Sequence, residues 1–209
     1  MKTLLLTFGL TLVTLFASAQ YFEGKVVYKN AYKSKSAAVK DEQLSSMMGT
    51  QQNYYIKGGD YKSEANGTFM LWQLYINKDN KLYNKLANSP ALLWNDGAAN
   101  NDEVVKSEVH KATTKVLGYL CDELILTCKS GIQKYYFSAK LPVNTKLYTK
   151  HQLGNYYAYL QKAHAIPLKV MVDNAQFTME GIAIEVKPMK LSQNLFALPA
   201  AVQTTKSPY

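Results

Sequence analysis

KVLGYLCDELILTCKSGIQKYYFSAK, residues 115–140, holds the clearest hairpin pattern in the chain and specifies a β-meander. A strand-forming run over 121–128 is followed by a Ser130-Gly131 turn and an aromatic return strand over 132–138. Two such runs around a short glycine-containing connection read as a hairpin. Both cysteines lie in the first run. If CDELILTC is straight, a separation of seven residues puts Cys121 and Cys128 on opposite faces and roughly 23 Å apart at about 3.3 Å per residue. That is beyond disulfide reach, so two unpaired, largely buried thiols are expected, although in an oxidising compartment such a pair would ordinarily join. Leu124, Leu126 and Cys128 should share one side of the sheet, and Cys121 and Ile125 the other.

Working outward, the pattern repeats. Residues 100–114 can be drawn as helix or as alternating strand, and the neighbouring strands favour strand. QQNYYIKGGDYKSE at 51–64 reads as two strands around Gly58-Gly59, which supply the positive φ angles of a tight turn. FMLWQLYI at 69–76 is apolar on both faces, so it must be covered on both. That makes it a central strand and a candidate cavity wall. KLYNKL returns beside it after an Asn77-Lys78-Asp79-Asn80 turn, and ALLW at 91–94 ends in another turn signal. Near the N-terminus, KVVYKNAY at 25–32 alternates as a half-buried first strand. DEQLSSMMG reads as a short helix, with acidic residues in its first turn, Leu44, Met47 and Met48 on one face, and Gly49 as its stop. Its methionines either pack on the sheet or form a pliable lid over an apolar cavity.

Downstream, residues 145–163 form a second helical segment that Gly154-Asn155 breaks in two; Leu147, His151, Tyr156, Tyr157, Tyr159 and Leu160 are its bulky residues. LKVMV and AQFTMEGIAIEV follow as strands. In the latter, Phe177 and Met179 share a face while Ile182, Ile184 and Val186 lie on the opposite one, which predicts a β-bulge at Glu180-Gly181. LFALPAAVQTTKSPY reads as a docking segment and then a frayed end. The fold class is mainly β with a few short helices.

Lys2, the apolar run from Leu4 to Phe16 and Ala17-Ser18-Ala19 match a secretory signal peptide cleaved after Ala19. Residues 20–209 then form one β-rich domain, without a cysteine at its start to carry a lipid and without a transmembrane span. A periplasmic or secreted location follows. The net charge is +9, from lysine alone, since the chain has no arginine. Scattered lysines without arginine's planar fork argue against nucleic-acid binding and read as a solvated basic surface, or one drawn to an anionic membrane or glycan.

Chemistry-bearing motifs are absent. His110, His151 and His164 lack ligand-spaced partners, and no zinc, calcium, nucleotide or nucleophile-elbow pattern occurs. Asp122-Glu123 and Asp102-Glu103 are sequence neighbours, so on a strand they face opposite ways. No metal, cofactor or catalytic residue is expected. The 16 Tyr, 7 Phe and 2 Trp remain. Most suit sheet packing; the functional alternative is an apolar groove contacted by Met47, Trp72, Leu74, Tyr136 and Phe177.

Leu117-Gly118-Tyr119-Leu120-Cys121, the return strand Lys134-Tyr135-Tyr136-Phe137, the later Ala165-Ile166-Pro167-Leu168-Lys169-Val170 and the closing Leu195-Phe196-Ala197-Leu198-Pro199 together resemble exported Bacteroidetes proteins of the DUF4412 and GLPGLI-like group. That group is similar in layout to the lipoprotein carriers LolA and LolB. The resemblance implies a curved antiparallel sheet, an open half-barrel, with helices covering its concave face over an apolar cavity. It also implies periplasmic lipid or lipoprotein handling. The carriers are associated with a functional buried arginine, which this chain lacks. Three functions are therefore carried forward: a binder of a lipid or other apolar ligand, a non-catalytic structural or assembly subunit of the cell envelope, and a hydrolase without a recognisable motif.

Overall fold

Short turns between alternating segments place the described residues, 21–100 and 102–208 of the computed structural model, in one open sheet of twelve strands. The leader expected at 1–19 lies outside them. The first six strands are β1 (Gly24–Ser34), β2 (Gln51–Lys57), β3 (Asp60–Ala65), β4 (Met70–Ile76), β5 (Lys81–Leu86) and β6 (Leu92–Asp96). They follow one another as an antiparallel meander. A second meander comprises β7 (Val104–Val116), β8 (Tyr119–Cys128), β9 (Gly131–Pro142), β10 (Ala165–Asn174) and β11 (Phe177–Pro188). The two join where β1 pairs antiparallel with β11, from Gly24 opposite Pro188 to Ser34 opposite Phe177. Residues 104–116 are thus strand rather than helix. The turn between β2 and β3 has Gly58 at φ 57°, as its double glycine requires.

Two short α-helices interrupt the meanders. In α1 (Asp41–Met48) the first turn carries Asp41 and Glu42, the Lys40 amide donates to Gln43 Oε1 at 3.0 Å, and Gly49 at φ 89° ends it. No residue of α1 is buried. Residues 145–163 break as the sequence predicts: single turns at 145–148 and 153–155 precede α2 (Tyr156–Ala163). Gly154 and Asn155 both take left-handed angles, φ 62° and 63°. The Asn155 amide is anchored there, donating to Cys128 Sγ at 3.3 Å, and its Oδ1 accepts from Asn100.

The sheet buries both faces. One carries the larger core, including Val26, Ile56, Tyr61, Tyr75, Leu124, Phe137 and Leu168, with Tyr148, Tyr159 and Leu160 from the helical segment packed into it. The other gathers Leu74, Tyr83 and Leu92 beneath Leu191 and Phe196, with Trp72, Trp94 and Leu198 around them. Strand β4 contributes to both, Tyr75 to the first and Leu74 to the second. This is what a strand apolar on both faces requires.

Three sequence expectations are corrected. The parity change in β11 is real, but pairing with β10 is regular through Glu180 and Gly181. The extra residue is Ile184, because Val27 faces Glu185 while Tyr28 faces Ala183. Ile184 is the residue expelled to solvent, and Ala183 and Val186 keep to the core. Within the tail expected to fray, Thr204–Lys206 forms β12 and pairs in parallel with Leu92, Leu93 and Trp94. The free edge of β6 supplies the backbone partners that an isolated tail lacks. Finally, Cys121 shares the core of Leu124, Leu126 and Cys128 instead of taking the opposite face. Opposite it, β7 is irregular, with His110 facing Glu123 and Thr114 facing Cys121, so three residues of β7 stand against one of β8. That bulge turns the strand between Cys121 and Leu124.

Both thiols are nevertheless free and buried. Burial raises the pKa of Cys121, and burial together with the Asp102 carboxylate pushes Cys128 up to about 11. Neither is therefore a nucleophile at neutral pH. A thiol-reactive disulfide reagent should label no cysteine in the native protein and both after denaturation without reductant. Silence after denaturation would mean that they are paired.

Candidate functional site

Cross-strand register assembles an aromatic layer under residues 145–163. Tyr61 of β3 stands directly opposite Tyr75 of β4, their rings stacked at 5.3 Å, and Tyr54 of β2 lies 5.5 Å from Tyr61. The helical segment lowers Tyr148, His151 and Tyr156 onto this layer, while Tyr159 stacks on Tyr135 at 4.2 Å. His151 is the centre: its ring stacks on Tyr75 at 4.0 Å and 8° and on Tyr156 at 4.6 Å. Its Nε2 bonds the Tyr61 hydroxyl at 2.8 Å, while Nδ1 makes no hydrogen bond. It is 1 % exposed, and burial lowers its pKa to about 4, with the Gly97 carbonyl opposing. The imidazole is therefore neutral at pH 7. Other hydroxyls tie the segment down: Tyr148 donates to the Gly58 carbonyl at 3.0 Å, and Tyr159 to that of Ala165 at 2.5 Å.

Beside this layer the sheet leaves a cavity of about 200 Å³. Its floor is one cross-strand row, Asn30 of β1, Gly181 of β11, Val170 of β10 and Tyr135 of β9. Gly181 makes the hollow: a Cβ there would stand 2.8 Å from Asn30 Oδ1. Tyr28, Tyr54, Tyr156 and Pro167 wall the cavity, and Gln52 and Met179 complete its lining. Tyr28 is held by donating to the Pro167 carbonyl at 2.6 Å. Tyr54 and Tyr156 join their hydroxyls at 2.8 Å, bridging β2 to α2. Burial raises the pKa of all four tyrosines, Tyr28, Tyr54, Tyr135 and Tyr156, well above the ordinary phenol value. Among the described residues no charged side chain lines this cavity.

Other recesses differ on that point. One of about 410 Å³, at the sheet end near Tyr21 and Tyr119, includes Glu23, Lys140 and Lys190. Another of about 440 Å³ beside α1 includes Asp41 and Glu42. A third, of about 280 Å³, includes Lys134 and Asp173. Among the described residues no group of three or more His, Cys, Asp or Glu side chains is arranged to hold a metal ion.

The five residues predicted to contact a ligand are dispersed. Trp72 and Leu74 belong to the cluster under Leu191 and Phe196, on the face away from Tyr75. Met47 projects from α1, 41 % exposed. Tyr136 donates to Glu123 at 2.7 Å with Lys169 over its ring, and it is the neighbouring Tyr135 that lines the cavity. Phe177 packs edge-on against Tyr32 at 6.5 Å. None of the five lines the aromatic cavity. Alternation placed them on faces but could not say which face the helical segment covers. Hairpin register is what gathers Tyr54, Tyr61 and Tyr75 on that face, Tyr61 directly opposite Tyr75.

The chain matches no protein-family model, and no curated protein is similar to it. Among the described residues no helix is long and apolar enough to cross a membrane.

Proposed function

We propose that this is an exported envelope protein that binds a lipid or other apolar ligand between its sheet and the segment 145–163, without catalysing a reaction on it. In this reading the sheet is an open half-barrel, residues 145–163 cover its concave face, and the likeness to LolA-like carriers and the DUF4412 and GLPGLI-like group reflects a shared layout. The observation that carries the reading is an uncharged, tyrosine-walled cavity in a protein of net charge +9. Apolar concavities with a few polar groups are the usual form of small-molecule sites. Leader cleavage near Ala19 would deliver the protein to the periplasm or beyond.

Mass spectrometry of organic extracts from gently purified protein should recover an apolar compound at near one equivalent. If nothing copurifies and no apolar probe binds the refolded protein, the reading fails.

One observation favours a second reading, a structural or assembly subunit. Among the described residues the thirteen-residue strand β7 pairs only with β8, and it exposes Val105 by 65 % and Val109 by 41 %. An unpaired edge of that length can accept another strand. A pull-down that yields one stoichiometric protein partner, lost when proline replaces Val109, would favour it.

A further inference from the structure

The cavity's size and lining restrict what it can hold, and we infer that it selects small uncharged molecules, a single ring or a chain of similar bulk bearing one hydroxyl or carbonyl, over charged lipids. This rests on the reading that the cavity binds an apolar ligand and narrows it. At about 200 Å³ the space only modestly exceeds the roughly 150 Å³ that holds a benzene ring in a protein interior. A long acyl chain would leave most of its length outside.

The lining sets the charge. Among the described residues no lysine and no carboxylate lines this cavity. An ionised headgroup drawn inside would lose its water without gaining a counter-ion. What the lining offers instead is a small set of neutral hydrogen-bonding groups. Gln52 gives its amide Nε2 to Ser63 Oγ at 2.6 Å, which leaves Oε1 as an acceptor. Between the Tyr54 and Tyr156 hydroxyls at 2.8 Å only one proton can be shared, so the other remains to be donated. Asn30, 7 % exposed, sets its amide at the floor beside Gly181. One acceptor and one donor suit a hydroxyl or a carbonyl. The tyrosine rings supply flat apolar walls that fit an aromatic ring edge-on or stacked.

Calorimetric titration of the full chain at pH 7 with paired probes tests this: p-cresol and 1-octanol against benzoate and octanoate, with hexadecanol and hexadecanoate as long-chain members. The neutral probes should bind one per protein and roughly tenfold or more tighter than their carboxylate counterparts, with hexadecanol no tighter than octanol. Val170→Trp, which fills the space over Gly181, should abolish binding; Met179→Trp serves if the first variant fails to fold. Hexadecanoate binding more tightly than octanol, and lost in the filled variant, would overturn the selectivity while leaving apolar binding intact. Binding by no probe, or binding that the filled variants leave unchanged, would overturn the apolar-ligand reading itself.

Discussion

Lowering the pH from 7 to 4 should remove about 3 kcal/mol of folding stability through His151 alone, from a pKa of about 4 folded against 6.5 unfolded. Between those two values the unfolded chain binds the proton and the folded one does not. Stability is therefore fully present above pH 6.5 and falls as the pH drops toward 4. The cause is geometric: the imidazole is sandwiched between Tyr75 and Tyr156 and bonded to Tyr61. The rings that surround it, with Tyr148, are themselves neutral at this pH, so an imidazolium would find no counter-charge among them. His151→Phe keeps a ring in the stack, leaves the Tyr61 hydroxyl without its partner and should cost about 1 to 2 kcal/mol at pH 7. Between pH 6.5 and about 5, above the carboxylate range, its urea midpoint should then be nearly flat while that of the wild type declines. Equal slopes for the two proteins would show that His151 does not titrate in this way. Glu23, Asp122, Glu123 and Asp173, whose pKa values are lowered by their hydrogen bonds and lysine neighbours, add further loss at lower pH.

Replacing Tyr75 by alanine should cost about 4 kcal/mol, near the upper part of the range for deleting a buried aromatic ring. Tyr75 has no exposed surface and stacks on His151, Tyr61 and Tyr148, so its ring joins strands β3 and β4 to the segment above them. Its hydroxyl donates to Asn80 Oδ1 at 2.8 Å at the edge of the layer. Tyr75→Phe removes only that bond and should cost about 1 kcal/mol. As a control, Val105→Ala on the exposed edge should stay within about 0.5 kcal/mol of wild type. Urea unfolding of the three variants checks the order. A Tyr75→Ala loss as small as that of Tyr75→Phe would mean that the aromatic layer is not the junction between sheet and helical segment.

The parts of the fold that were legible in the sequence are those that local chemistry determines. The Gly58-Gly59 turn, the α1 boundaries with Asp41 and Gly49, and the break at Gly154-Asn155 each follow from what those residues' own backbones can adopt. The two-faced strand β4 was legible because Tyr75 and Leu74 both need cover. Less legible were features set by a partner strand. The parity change in β11 could be read, but its position at Ile184 rather than Gly181 depends on the register against β1. Gly181 is glycine for a different reason, the close approach of Asn30. Cys121 could not be assigned its face without the bulge in β7 opposite it. The predicted contact residues failed to converge for the same reason. Alternation separated Trp72 and Leu74 from Tyr75 correctly, and only the chain's return after β9 and after β11 determines which face receives the helical segment and which receives Leu191 and Phe196.

Methionine methyl NMR can locate the bound ligand, because the side chains report from separate places on the molecule. Met179 lines the aromatic cavity, Met189 lines the recess near Tyr21, and Met47 projects exposed from α1. Titration with p-cresol should move the Met179 resonance along a saturable one-site curve, leave Met47 and Met189 in place, and produce no Met179 shift in Val170→Trp. A shift at Met47 or Met189 with Met179 unmoved would contradict the assignment of the binding site to this cavity.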